Sequence, residues 1–139
     1  MSKLILENKI ENLERVLDFV EQFALSINLN EEITFDIKLA VDEAVSNIIR
    51  HGYNDTEKHY IEIELEKHNH EIIITITDDA KEFSILDYKI ASIDVPIEMR
   101  KPGGLGIFLI KETMDNINWQ RQEGKNILSL VKKIERENK

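Results

Sequence analysis

A chain of 139 residues is one domain's worth, long enough to bury a core without disulfides or metals. Its 42% hydrophobic and 32% charged residues are those of a soluble globular protein, and a formal net charge of -9 excludes nonspecific attraction to nucleic acid or to an anionic membrane. The absence of cysteine excludes disulfides and thiol catalysis and suits a reducing compartment. No apolar run reaches membrane-spanning length and none has the pattern of a signal peptide, so a cytosolic protein is expected.

Lys3 to Glu7 is short and apolar-rich and reads as an edge strand. Ile10, Leu13, Val16, Leu17, Val20, Phe23, Ala24 and Ile27 then recur with a helical period and predict an amphipathic helix that Asn28 to Asn30 ends. Asn30 or Thr34 caps a second helix that runs to Gly52. Its apolar face holds Leu39, Ala40, Val41, Ala44, Val45, Ile48 and Ile49. Tyr60 to Glu66 and Glu71 to Thr77 alternate as two strands joined by a turn at Lys67 to His70. The second, with Ile72, Ile74 and Ile76 on one side, is expected to be the more central. Between Asp78 and Gly104 periodicity fails over a length that is uncommon for a structureless loop and typical of lids and binding loops. Leu105 to Asn116 resumes as a helix. Ile117 to Gln122 and Asn126 to Lys133 close the chain as a hairpin around Glu123 to Lys125. The order predicts an α+β sandwich, an antiparallel or mixed sheet covered on one face by three helices.

Three places carry polar residues that invite a function. On the second helix Glu43, Asn47 and His51 are spaced four apart and form one row, which is either a solvated stripe or the edge of a site. Asp78 follows the central strand directly. It is either a strand-ending turn residue or an acceptor for an amino group such as the exocyclic one of adenine. Gly103, Gly104 and Gly106, three of the chain's five glycines, open the third helix. They make either a hinge or an anion site, where bare N–H groups and the helix dipole suit phosphate. The spacing is neither the phosphate loop that ends in Gly-Lys-Ser/Thr nor a dinucleotide fingerprint. His51, His59, His68 and His70 lack metal-ligand spacing and read as surface residues. Trp119 reads as core or interface.

Taken in order, these segments resemble the Bergerat-type ATP-binding fold of the GHKL ATPases, the histidine-kinase-like domain, over nearly the whole chain. Asp42 to Tyr53 resembles the N box, Ile76 to Phe83 the Asp-x-Gly box, and Gly103 to Ile110 the second glycine box. Within that superfamily the wording is most similar to the anti-sigma factor serine kinases, compact bacterial proteins of partner-switching modules.

The resemblance implies a single domain over residues 1–139 with an ATP lid at about 84–104, and ATP and Mg²⁺ as cofactors. It implies Asn47 as the side chain that holds Mg²⁺ against the phosphates and Glu43 as general base on the acceptor hydroxyl. Asp78, with Ala80 and Phe83 of the same box, would form the base site. Gly103, Gly104, Leu105 and Gly106 would let the lid fold over the phosphates. Its implied partners are a STAS-domain anti-sigma-factor antagonist, phosphorylated on serine, a sigma factor, and a second copy in a homodimer, with no direct nucleic acid and no membrane. Two positions depart from the family: Ala80 stands where glycine is usual, and Ser84 where an acidic residue is common. A Cβ at residue 80 costs about 1 kcal/mol if φ there is positive. The alternative expectations are therefore a regulatory binding module of the same fold with little or no nucleotide binding, or an ATPase without a protein acceptor.

Overall fold

The computed structural model describes residues 2–84 and 104–134. β1 (Ser2–Glu7) leads through one 3-10 turn (Ile10–Asn12) into α1 (Leu13–Ser26) and α2 (Glu31–His51). β2 (Tyr60–His68) and β3 (Glu71–Asp78) follow, then α3 (Gly104–Thr113), β4 (Asn116–Gln122) and β5 (Lys125–Lys133). The sheet order is β1-β2-β3-β5-β4, and every neighbouring pair is antiparallel. That resolves the mixed-or-antiparallel alternative, and β3 is the central strand. Among the described residues no helix is long and apolar enough to cross a membrane.

Alternation along the strands sends Ile61, Ile63 and Leu65 of β2, Ile72, Ile74 and Ile76 of β3, and Leu128 and Leu130 of β5 to one face. Register joins them in rows: Ile63 lies opposite Ile76, which lies opposite Leu128, and Leu65 opposite Ile74, which lies opposite Leu130. The helices cover that face. α1 contributes Val16, Val20 and Ala24, one turn apart, and α3 contributes Ile107 and Ile110. α2 packs against both other helices and supplies Ile37, Ala40, Val41, Ala44 and Val45. Each fully buried Ile or Val adds roughly 1.5–3 kcal/mol of apolar transfer, and truncating such an Ile to Ala costs about 2–5 kcal/mol.

The ends of α2 are set by side chains. Asn30 is the N-cap, its Oδ1 accepting from the Ile33 N–H at 2.8 Å, while the Thr34 hydroxyl donates back to the Asn30 carbonyl. Glu31 and Glu32 in the first turn and Arg50 and His51 in the last complement the helix dipole. α3 stops earlier than periodicity predicts. Lys132 Nζ takes the Thr113 carbonyl at 2.8 Å and the Asp115 N–H pairs with the Val131 carbonyl, which draws Asn116 into β4. The final hairpin turns on Glu123 (φ 52°) and Gly124 (φ 80°), the left-handed pair that a two-residue loop of primed type demands.

Candidate active site

A cavity of about 480 Å³ opens between the C-terminal half of α2, the end of β3, the start of α3 and the β4–β5 hairpin. Asn47, Asp78, Ala80 and Phe83, four of the residues expected at a nucleotide site, line it. Ile48, Ile107, Trp119 and Leu128 give it apolar walls. Glu43, Leu105 and Gly106 lie outside the lining, and Gly104 is the first residue of α3. Gly103 and all of the expected lid but its two ends, Ser84 and Gly104, fall outside the described residues.

Asp78 ends β3 with its carboxylate inside the protein, at 4% exposure. Oδ1 accepts from the Ala80 N–H and from Asn126 Nδ2, both at 2.9 Å. Oδ2 has no hydrogen-bond partner among the described residues. Burial pushes the Asp78 carboxyl up. The hydrogen bonds from Asn126 and Ala80 hold it down, Asp79 beside it pushes up and Arg121 opposes that.

Asn126 escaped the sequence reading. It lies directly opposite Asp78 in the sheet and is 5% exposed. Its Nδ2 also donates to the Lys81 carbonyl at 3.0 Å, and its Oδ1 accepts from the Phe83 N–H at 3.3 Å and from Arg121 Nη1 at 3.1 Å. Arg121 Nη1 reaches the Ala80 carbonyl as well, at 2.9 Å. The β4–β5 hairpin thus ties residues 78–83 to the sheet. One signal was available: Asn126 precedes Leu128 and Leu130 on the inward face, and an inward amide requires partners.

Ala80 carries no backbone penalty. The described non-glycine residues with positive φ are Asn28, Asn69 and Glu123, so the condition under which its Cβ would be costly is not met. The close approach is relieved from the other side. A Cβ added to Gly52, which has an ordinary φ of -84°, would come within 2.8 Å of the Ala80 Cβ and 2.6 Å of the Ile48 carbonyl oxygen. The Lys81 N–H donates to the Gly52 carbonyl at 3.2 Å and fastens the two segments. Ser84, the other departure, is buried.

On α2 the row of Glu43, Asn47 and His51 divides. Asn47 and His51 line the cavity, while Glu43 sits two turns before His51 against α3. Burial pushes the Glu43 carboxyl up, Asp42 adds to this and Arg50 opposes it. A Cβ on Gly106 would collide with Glu43 Oε1, so this glycine clears room for the carboxylate. At the cavity's rim the Tyr53 ring stacks on His59 with centroids 4.3 Å apart. His59 bridges Asp55 at 2.8 Å and Asp79 at 3.1 Å, and the Tyr53 hydroxyl donates to Asp79 at 3.1 Å.

These residues fit a purine nucleotide. The cavity has apolar walls and is lined by Asp78, one of whose carboxylate oxygens no described residue hydrogen-bonds, and by Trp119, whose buried indole N–H no described residue satisfies. Among the described residues no group of three or more His, Cys, Asp or Glu side chains could hold a metal. The Asn47 carboxamide in the cavity lining offers an oxygen of the kind Mg²⁺ takes beside its waters and substrate phosphates.

The family model for the histidine kinase-like ATPase domain matches residues 6–132. The serine-protein kinase RsbW of Oceanobacillus iheyensis is 34% identical over 97 residues, 67% of this chain and 61% of the relative. RsbW of Bacillus mycoides is 34% identical over 105 residues, 73% of this chain and 65% of the relative. The chain thus spans less than two thirds of the length of these relatives. Among solved structures, the RsbU and RsbW domains of a Mycobacterium tuberculosis protein share the fold with a TM-score of 0.66 at 14% identity, covering 98% of this chain and 33% of that one. The histidine kinase domain of an Erythrobacter litoralis blue-light activated kinase follows at 0.53 and 14%, covering 88% of this chain and 59% of that one. The chain belongs to the histidine kinase-like ATPase domain family and, within it, is similar to the serine-protein kinases RsbW.

Proposed function

We propose that this protein is an ATP- and Mg²⁺-dependent protein-serine kinase and anti-sigma factor. It phosphorylates a STAS-type antagonist and, when free of it, holds a sigma factor, working as a homodimer in the bacterial cytoplasm. The observation that carries the reading is the buried Asp78, which lines the same cavity as Asn47 and whose Oδ2 no described residue hydrogen-bonds. The similarity to RsbW supports the choice of acceptor.

In this reading Asp78 accepts a hydrogen bond from the adenine amino group, and Ile48, Ile107 and Leu128 exclude water from the base. Asn47 holds the Mg²⁺, which when bound neutralises charge on the transferring phosphoryl group. The N–H groups at the start of α3, from Gly104 and Leu105, lie at the positive end of a helix dipole suited to phosphate. Glu43 takes the proton from the serine hydroxyl, and its partial burial makes it the better acceptor.

Incubation with ATP-Mg²⁺ and a STAS-domain protein encoded beside this chain tests the proposal. Transfer of phosphate to a serine is the expected result. Micromolar ATP binding without transfer would sink the kinase reading and leave a nucleotide-regulated binding module. ATP hydrolysis that no partner accelerates would favour the acceptor-free ATPase.

A further inference from the structure

We propose that Asn126, braced by Arg121, is the positioning residue that sets base selectivity, holding Asp78 as a one-sided acceptor so that the site takes a 6-amino purine nucleotide and rejects a 6-oxo one. The inference rests on the nucleotide reading above and assigns a role that Asp78 cannot fill alone. A carboxyl that carries a proton can donate to a carbonyl as readily as it accepts from an amine, whereas an ionised one only accepts. At this site the hydrogen bonds from Asn126 and the Ala80 N–H fix Oδ1 and oppose the protonation that burial favours.

The Asn126 amide has one consistent orientation. Its oxygen receives the Phe83 N–H and Arg121 Nη1, both donors, and its nitrogen faces the Asp78 carboxylate and the Lys81 carbonyl, both acceptors. With the Ala80 N–H it saturates Oδ1 of Asp78 and leaves Oδ2 alone. Arg121 holds the amide and the Ala80 carbonyl together, so the loop bearing Phe83 moves with it. The charged and titratable groups that act on Asp78 are Asp79, Arg121 and the Tyr53 hydroxyl. Burial pushes Asp78 towards its protonated form, and the Asn126 hydrogen bond is the strongest of the groups opposing it.

Asn126→Asp is the discriminating change. A carboxylate at 126 still accepts from Phe83 and Arg121, and the contacts that the amide nitrogen made, to Asp78 and to the Lys81 carbonyl, turn from attraction into repulsion. Two carboxyls that close share a proton, and Asp78 becomes able to donate. ATP and inosine triphosphate are titrated against each protein by calorimetry, from about pH 6 to about pH 9.

The wild type should prefer ATP by at least about tenfold at every pH, since a polar mismatch at a buried site is worth roughly 1–3 kcal/mol. Asn126→Asp should bring the ratio within about threefold at pH 7, and the ratio should recover as pH rises and the shared proton leaves. Arg121→Ala, at an exposed residue near the end of β4 and so less of a burden on folding, should narrow the ratio part of the way; Arg121→Lys should restore some of it. A variant that weakens both nucleotides equally, or keeps the wild-type ratio, overturns the inference while leaving the ATP site standing. A wild type that binds neither nucleotide overturns the reading beneath it.

Discussion

On the sheet side of the cavity, Asp78, Ala80 and Asn126 are each 5% exposed or less and joined by hydrogen bonds that span the fold. On the α2 side, Asn47 and His51 share the same cavity, and no described residue hydrogen-bonds either side chain. The contrast is the one that the proposed division of labour requires. An acceptor that discriminates between bases must be oriented before the ligand arrives, because a buried carboxylate that shifts loses its selectivity. A metal-holding amide gains its partner only with the ligand, so a half-open helix edge serves. Glu43 lies between these extremes, partly buried and pressed against Gly106.

The largest expected effect breaks the helix side. Glu43→Gln keeps the shape and removes the proton acceptor, so phosphate transfer should fall by about 10²–10⁴-fold, the usual worth of a positioned general base, with ATP affinity unchanged. Single-turnover transfer beside calorimetry separates the two, and full transfer by the variant removes Glu43 from the chemistry.

On the sheet side, Asp78→Asn replaces a charged acceptor with an amide. ATP affinity should drop by roughly 10–100-fold, since hydrogen bonds to charged groups contribute about 1.5–3 kcal/mol. An unchanged dissociation constant would place the base elsewhere. The protein's one tryptophan, Trp119, lines the cavity and offers a fluorescence readout for both variants.

A smaller effect probes the seam between the two sides. Gly52→Ala drives a Cβ into Ala80 and the Ile48 carbonyl and should cost about 1–3 kcal/mol of stability, the usual penalty of overpacking. Adding Ala80→Gly should restore only part, because the Ile48 oxygen remains. Urea unfolding of the wild type, each single variant and the double variant decides it, and complete rescue would show that Ala80 alone is the obstacle.

The smallest effect concerns the rim. Hydrogen bonds that His59 donates to Asp79 and Asp55 hold its imidazole above its ordinary range, and the same clasp holds Asp55 down. Burial pushes Asp79 up, but its bonds to His59 and Tyr53 outweigh this and leave it lowered. A raised folded-state value means that the His59 contribution is full below the unfolded imidazole value of about 6.5 and fades as pH climbs through the raised one. The stability gap between wild type and His59→Phe should therefore be wider near pH 6 than near pH 8.5. An equal gap at both would leave stacking on Tyr53 as the clasp's whole content.

Elements with a regular period were legible in the chain. α1 and α2 follow the spacing of Val16, Val20 and Ala24 and of Ile37, Val41 and Ala44, and β3 the alternation of Ile72, Ile74 and Ile76. Departures came where a tertiary partner overruled local pattern, as Lys132 and Val131 did in ending α3. At the site, Asn47 and Asp78 stood out because a polar group beside an apolar run is visible locally. Asn126 and Arg121 did not, since the Asp78–Asn126 bond joins residues 48 apart. Gly52 was read as a helix end and Gly106 through lid chemistry, whereas the structure adds a steric reason: each leaves room for a side chain from a distant element.

By itself the sequence determined the helices and strands, the face each one buries and the kinds of group the site would use. These follow from side-chain periodicity and from polarity, which are properties of neighbouring residues. Only the tertiary structure decided how those groups are oriented. It put Asn126 opposite Asp78, set Gly52 against Ala80 and brought Gly106 onto Glu43. Such pairings depend on strand register and helix packing, which no local stretch of the chain encodes.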